Sequence, residues 1–308
     1  MPIKIPDGSP AEAVLRSEGV ELIPEGVALR QDIRPLRILL LNLMPTKIAT
    51  EVQIARLLSH TPLQVELSLL TTASYTPRNT PIEHLQAFYR TLDEVRSERY
   101  DAMIITGAPV ETMAYNDVAY WPEFMDIFEW SRTNVFRRFS ICWGALAALY
   151  AAYGVDKEHF SCKLSGVFPQ TVRAPELPLL RGFPEVFPAP VSRWSGVRHE
   201  DLQGHETLRI LADSPVSGAC LVMDEGNGDL FMFNHLEYDT DTLKGEYLRD
   251  LAADPATSVP HGYFPDNDPQ REPVNQWKPF AHMLFWNWIT CLYRDTPYDL
   301  SVLSNQNG

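Results

Sequence analysis

The residue best suited to covalent chemistry in this sequence is Cys142, which lies between two different patterns. The four residues before it are β-prone, whereas residues 145–153 are rich in alanine and leucine and favour a helix. Ser140 and Gly144 provide the small neighbours that a crowded strand-to-helix turn requires. The pattern predicts a nucleophile elbow, at which the first N–H groups and the dipole of the helix stabilise a thiolate. Core packing is the alternative, because free cysteines are often buried.

A histidine and a carboxylate later in the chain are candidate partners for this thiol. His235 follows the apolar run 230–234, and Glu237 lies on the same side if the chain is extended there. The imidazole accepts the thiol proton, and the carboxylate fixes its tautomer and stabilises the imidazolium. A lone H-x-E is a weak signal. Its force comes from context, because Cys142 and His235 both follow strands that end at the same edge of a parallel sheet.

Further polar residues suggest a binding site for a small charged molecule. Glu246 and Arg249 are three apart on a predicted helix and share one face, where together they match the two charges of an amino acid. A solvated surface ion pair is the alternative. Lys163 and Ser192 are further candidates that are equally consistent with an ordinary surface. The turn at 107–109 ends a buried strand, where ligands bind in open α/β sheets.

The elements that must position these residues alternate between strand and helix. Apolar runs at 37–43, 63–70 and 100–106 predict buried parallel strands, separated by helices over 50–60 and 82–97. The fold class is therefore α/β, a parallel-sheet sandwich with a nucleophile elbow. Proline and short strands from 167 to 190 predict an antiparallel insertion. We predict three regions: an irregular N-terminal arm at 1–34, a single α/β catalytic domain at 35–300 and a flexible tail at 301–308.

Composition narrows the classes of function. The chain has 308 residues, of which 45% are hydrophobic and 21% charged, as in ordinary globular proteins. A formal net charge of −14 argues against nucleic acid or an anionic membrane as partner. The four cysteines are far apart and show no metal-ligand spacing, so neither a metal site nor a disulfide framework is expected. The N-terminus lacks an apolar signal segment, and we expect a cytoplasmic protein.

Five motifs carry a resemblance to a known family: S-I-C-W at 140–143, K-L-S-G at 163–166, H-L-E at 235–237, Y-F-P-D-N-D-P-Q from Tyr263 and T-P-Y-D-L from Thr296. Together they resemble homoserine O-acyltransferases of the MetA type, over about residues 35–300. The resemblance implies a flavodoxin-like fold of the class I glutamine amidotransferase type. Amidotransferases usually carry glycine and proline where this chain has Ser140 and Leu236, which argues against glutamine hydrolysis.

The resemblance implies a ping-pong reaction of methionine biosynthesis. Cys142 takes an acyl group from acyl-CoA, and the hydroxyl of homoserine then receives it. His235 is implied as general base and acid, with Glu237 orienting it. The backbone N–H of Trp143, with one from the 107–109 turn, is expected to stabilise the oxyanion.

The substrate contacts follow from the same resemblance. It assigns Lys163, Ser192 and Arg249 to the amino acid, while Glu246 as partner of the amine is our inference from helical spacing. The family relates the choice of acyl group to the position of Glu111. Relatives with glycine there use succinyl-CoA, and a glutamate fills the space and repels the succinyl carboxylate. We therefore predict acetyl-CoA as donor, with Glu111 turned out to solvent as the alternative.

No cofactor is implied, since acetyl-CoA is a substrate, and the tryptophan-rich closing helix suggests a homodimer. Three alternatives remain: a succinyltransferase, a glutaminase-type cysteine hydrolase that passes the acyl group to water, and a non-catalytic relative in which Cys142 is inert.

Overall fold

The computed structural model describes residues 3–5, 8–18, 22–24, 34–75 and 79–305. Within these residues, twelve strands form one sheet with helices on both faces, which confirms the predicted α/β class. The strands are β1 (Ile3–Ile5), β2 (Leu22–Pro24), β3 (Leu36–Leu41), β4 (Val65–Leu70), β5 (Tyr89–Arg90), β6 (Tyr100–Ile105), β7 (Val135–Ile141), β8 (Glu158–Val172), β9 (Val186–Gly196), β10 (Leu208–Ser214), β11 (Gly218–Asp224) and β12 (Leu230–Met232). The α-helices are α1 (Ala11–Ser17), α2 (Lys47–Leu58), α3 (Ile82–Phe88), α4 (Leu92–Val95), α5 (Trp121–Asn134), α6 (Trp143–Tyr153), α7 (His199–Gln203), α8 (Thr242–Ala253) and α9 (Lys278–Asp295).

The sheet has a parallel half and an antiparallel half. Its order is β2-β1-β4-β3-β6-β7-β12-β11-β10-β8-β9, and β5 pairs with β4. The strands from β2 to β12 in this order are parallel, and those from β12 to β9 are antiparallel. Every residue of β6 is buried, as expected of a parallel strand with helices on both sides. β7 and β12 are neighbours, so residues that follow them share one edge of the sheet.

Two hydrophobic cores lie on opposite faces of the sheet. Along β3, Ile38 and Leu40 belong to one core and Leu39 and Leu41 to the other, as the two-residue period of a strand dictates. The first core contains apolar residues of α2 and α9, and the second contains those of α5 and α6. This packing fixes α6 against the sheet and therefore fixes the residue that begins it.

The antiparallel insertion is confirmed, although it differs from the predicted series of short strands. β8 and β9 form one long ribbon, paired from Glu158 and Gly196 to Thr171 and Val186, with a register shift between His159 and Leu164. The ribbon brings residues of both strands beside the edge where β7 and β12 end.

One local expectation is wrong, and both terminal regions contain regular elements. The helix expected over 82–97 is broken, because Thr91 caps a new helix: Glu94 Oε2 accepts hydrogen bonds from its N–H at 2.7 Å and its hydroxyl at 2.9 Å. In the described part of 1–34, β1 and β2 extend the sheet and α1 follows β1. In the tail, Leu300–Asn305 forms a 3₁₀-helix, and residues 306–308 lie outside the described residues.

Among the helices described, none has the length and hydrophobicity needed to cross a lipid bilayer.

Candidate active site

Cys142 forms the predicted elbow. It is the single residue between β7 and α6, and its φ of 51° lies in the left-handed region that residues other than glycine rarely adopt. Its N–H donates to the carbonyl of Met232 on β12 at 2.7 Å, which ties the elbow to the neighbouring strand. Strain of this kind persists only where the surroundings enforce it, and it is common at functional sites.

Two glycines allow the elbow to fit. A Cβ at Gly144 would lie 2.6 Å from the carbonyl oxygen of Thr106 and 2.9 Å from that of Ile105, so only glycine lets α6 begin so close to β6. A Cβ at Gly107 would lie 3.2 Å from Cys142 Cβ and 3.7 Å from its Sγ. The 107–109 turn therefore forms one wall around the sulfur. Trp143 is the first residue of α6, where the backbone N–H has no acceptor within the helix.

His235 and Glu237 meet Cys142 at this edge. His235 Nδ1 and Glu237 Oε1 are 2.6 Å apart, and both side chains are buried. The imidazole is also close enough to Cys142 for the charges of the two side chains to interact, and since Nδ1 is engaged by Glu237, Nε2 is the nitrogen left for the sulfur. The structure thus brings the three predicted residues into one contiguous set.

His235 and Glu237 pair as predicted, but the expectation that an extended chain places them on the same side is wrong. β12 ends at Met232, and Leu236 and Glu237 form a turn instead of an extended chain. The N–H of Tyr238 donates to the carbonyl of His235 at 3.3 Å, which closes that turn. The N–H of His235 donates to the carbonyl of Pro190 on β9 at 2.8 Å, so the insertion helps to hold the base.

Charge around the imidazole favours its protonated form. Burial by itself lowers the pKa of His235, but the negative charges of the Cys142 sulfur and of the Glu237 carboxylate, which is hydrogen-bonded to the ring, raise it well above its ordinary value. An imidazolium beside a cysteine favours attack by the sulfur on an acyl group.

A cluster of charged and hydroxyl side chains lies beside this set. Glu246 Oε1 accepts the hydroxyl of Tyr238 at 2.7 Å, and Oε2 accepts the hydroxyl of Ser192. Lys163 Nζ lies 3.7 Å from Glu246 Oε2 and donates to Asp250 Oδ2 at 2.7 Å. The structure thus joins Lys163, Ser192 and Glu246, which the sequence offered only as separate candidates.

Among the described residues, Arg249 joins this cluster through Asp250 alone. Its guanidinium donates to Asp250 Oδ1 at 2.7 and 2.9 Å, and its side chain is 66% exposed. Glu246 and Arg249 therefore form no direct ion pair in the described structure, although Glu246 is near enough to raise the pKa of Arg249. The two residues share a helix, but Glu246 turns toward Ser192 and Tyr238, because these hydroxyls satisfy its carboxylate.

Glu111 faces the site. Burial raises the pKa of its carboxyl group, against the opposing effects of a hydrogen bond from the Trp194 N–H and of the nearby His235, Lys163 and Arg193. Its Oε2 is buried and has no hydrogen-bond partner among the residues described. The alternative in which Glu111 turns out to solvent does not hold in this structure.

Two residues of this site, Tyr238 and Asp250, were not predicted from the sequence, and Arg193 was noted only as a polar residue beside Ser192. Tyr238 stacks on His235 with ring centroids 4.1 Å apart, and Asp250 binds both Lys163 and Arg249. Arg193 is buried and donates to the Phe233 carbonyl and Asn234 Oδ1, both at 2.9 Å. These hydrogen bonds hold the two residues that precede His235. Tyr238 directly follows the H-L-E motif, and this position could have marked it as a candidate. The roles of Asp250 and Arg193 depend on contacts between distant segments.

Comparisons with known proteins agree with this geometry. Solved structures similar in fold include a glutamine amidotransferase from Thermotoga maritima, with a TM-score of 0.56 at 11% identity over 85% of this chain and 98% of that one. A glutamine amidotransferase from Methylobacillus flagellatus gives 0.52 at 11% identity over 87% and 99%. These likenesses confirm the predicted class I glutamine amidotransferase-like fold.

Sequence comparison is more specific. A homoserine O-acetyltransferase of Novosphingobium aromaticivorans is 53% identical over 98% of this chain and 99% of its own length. Another, from Brucella canis, is 49% identical over 97% and 98%. The family model described as homoserine O-succinyltransferase matches residues 2–298. This chain therefore belongs to the homoserine O-succinyltransferase family of acyltransferases.

Proposed function

We propose that this protein transfers an acetyl group from acetyl-CoA to the hydroxyl of L-homoserine, through a thioester on Cys142. The observation that carries the proposal is the thiol–imidazole–carboxylate set at the start of α6, in which His235 contacts both Cys142 and Glu237. The names of the relatives, which are about half identical to this chain over nearly its whole length, support the same reaction.

In the first half-reaction, Cys142 Sγ attacks the carbonyl carbon of the acetyl thioester. The oxyanion that forms is held by the N–H of Trp143 and the positive end of the α6 dipole. When the tetrahedral intermediate collapses, the bond to coenzyme A breaks, and the His235 imidazolium gives its proton to the departing thiolate. The products are acetyl-Cys142, free coenzyme A and a neutral imidazole.

In the second half-reaction, the roles of His235 reverse. The neutral imidazole takes the proton of the homoserine hydroxyl, and the oxygen attacks the acetyl carbon on Cys142. Collapse of this second intermediate breaks the bond to sulfur and releases O-acetyl-L-homoserine. The thiolate is restored beside an imidazolium, whose positive charge Glu237 stabilises at 2.6 Å.

The charged cluster supplies the contacts that an amino acid needs. Glu246 is the partner for the homoserine ammonium, because its carboxylate is held by two hydroxyls and retains accepting capacity. The cations of Lys163 and Arg249 are the partners for the homoserine carboxylate. Asp250 bridges these two cations and keeps them together.

Succinyl-CoA is the competing donor, since the family model carries that name. Glu111 supports acetyl-CoA, because its carboxyl group has a buried oxygen and is near enough to His235 and Lys163 to interact with their charges, so it occupies space that a succinyl carboxylate needs. Anionic forms of the two groups would also repel one another.

Mass spectrometry of the protein after exposure to acetyl-CoA alone tests the proposal. We expect one acetyl group on Cys142, lost when homoserine is added with formation of the ester. Cys162 is the exposed thiol in the described structure, so Cys162→Ala, which should retain the label, is the control for non-specific acylation. A label at another residue, or none, would refute the proposal.

A further inference from the structure

Tyr238 lies where the acyl-transfer residues meet the charged cluster. Its ring stacks on the imidazole of His235, with centroids 4.1 Å apart and planes 19° from parallel. Its hydroxyl donates to Glu246 Oε1 at 2.7 Å. The side chain therefore contacts both the general base and the proposed partner of the amine, and it is buried.

The backbone of Tyr238 is held at both ends. Its N–H donates to the carbonyl of His235 at 3.3 Å, and its own carbonyl accepts the indole N–H of Trp277 at 2.8 Å. Trp277 is fully buried at the start of α9. Because packing and hydrogen bonds fix the chain on both sides, the ring has a defined orientation, which precise positioning of a neighbouring group requires.

We propose that Tyr238 is a positioning residue with two separable effects: its hydroxyl aims Glu246 at the ammonium of the acceptor, and its ring holds the His235 imidazolium. The first effect rests on the proposed function, because it needs an amino acid as acceptor. The second depends only on the pairing of Cys142 with His235.

Competition from Lys163 explains why Glu246 needs a fixed partner. The ammonium of Lys163 lies 3.7 Å from Glu246 Oε2 and attracts that carboxylate. The hydroxyls of Tyr238 and Ser192 hold one oxygen each, so the carboxylate keeps its orientation. Without the phenol, Oε1 becomes free to turn toward Lys163, and binding of the acceptor ammonium weakens.

The stacked ring affects the charge state of the base. The face of a tyrosine ring attracts a cation within about 6 Å of its centroid. The ring on His235 lies well inside that range, at 4.1 Å, and nearly parallel to the imidazole. It therefore favours the imidazolium, and with it the thiolate of Cys142, while excluding water from that face of the base.

Two variants separate the effects. In Tyr238→Phe the ring remains and the hydroxyl is lost, so we expect the KM for homoserine to rise about tenfold, as for loss of a hydrogen bond to a charged group. The kcat/KM for acetyl-CoA and the rate of Cys142 alkylation by iodoacetamide should match the native protein. In Tyr238→Leu the alkylation rate at pH 7 should also fall, by about fivefold.

Tyr89→Phe is the matched control, because Tyr89 is a buried tyrosine whose hydroxyl donates to another carboxylate, Glu51 Oε1, at 2.6 Å. It should leave the KM for homoserine unchanged. A KM for homoserine in Tyr238→Phe within twofold of the native value would overturn the first effect. An alkylation rate in Tyr238→Leu equal to that of the native protein would overturn the second. Alkylation needs neither substrate, so it tests the second effect even if acetyl-CoA fails to label the native protein. Failure of that labelling would refute the proposed function and not the effect of the ring.

Discussion

Replacing Glu237 with glutamine tests how the triad activates its cysteine. The change preserves the shape of the side chain and removes its charge from a pair 2.6 Å apart, with side chains only 4% and 8% exposed. Removing one member of a buried ion pair costs about 3–5 kcal/mol, because the other charge is left uncompensated. At about 1.4 kcal/mol for each tenfold change, the thiolate–imidazolium pair should become at least about 100-fold less populated.

The pH dependence of alkylation by iodoacetamide measures this loss. The raised pKa of His235 keeps the imidazolium present to a pH above the ordinary range of histidine. In Glu237→Gln the negative charge that raises the pKa of His235 is lost, while burial still lowers it. The pKa of His235 therefore falls. We expect Glu237→Gln to lose at least about 100-fold in alkylation rate at pH 7 and to recover reactivity only in alkaline solution.

Asp239→Asn provides a matched control for this experiment. Its carboxylate is two residues from Glu237 and accepts a hydrogen bond from Arg56 at 2.6 Å, with a side chain that is 47% exposed. It should be alkylated like the native protein. Alkylation of Glu237→Gln within about threefold of the native rate at pH 7, with an unchanged urea midpoint, would refute the proposed role of the carboxylate.

The remaining predictions concern the elbow and the choice of donor. Gly144→Ala should destabilise the fold by at least about 1–3 kcal/mol, because the new Cβ would lie 2.6 Å from a backbone oxygen. Gly245→Ala is the control, because its Cβ would have no atom within 4 Å and the change should be neutral or stabilising. Equal urea midpoints for the two variants would contradict this prediction. Glu111→Gly should gain succinyl transfer at the expense of acetyl transfer, and unchanged donor preference in steady-state assays would contradict the role of Glu111. Because burial raises the pKa of Glu111, preference for acetyl-CoA should weaken as the pH falls and the carboxylate is neutralised; a preference constant down to pH 5 would show that its charge has no part.

The elbow, and the meeting of Cys142 and His235 at one sheet edge, could be predicted from the sequence because both depend on local sequence patterns. Cys142 is followed by a helix and flanked by small residues, and the residues before it form a strand whose last four residues are buried. His235 follows the neighbouring strand, and open α/β sheets bring such residues to one edge. Those features are sufficient to predict that thiol and imidazole meet.

Other contacts depend on tertiary structure that periodicity does not specify. Helical spacing allowed Glu246 to face Arg249, but the hydroxyl of Ser192 from β9 and that of Tyr238 draw the carboxylate elsewhere. A turn pairs His235 with its carboxylate, although an extended chain predicts the same pair. The break of the helix at Thr91 follows from a capping box that a search for long amphipathic segments passes over.

Isotope exchange between free coenzyme A and acetyl-CoA tests the central claim most directly. If Cys142 carries the acetyl group between two separate half-reactions, the protein alone should transfer label from coenzyme A into acetyl-CoA without homoserine, and Cys142→Ala should not. Exchange that requires homoserine, or that survives in Cys142→Ala, would contradict a thioester on this sulfur.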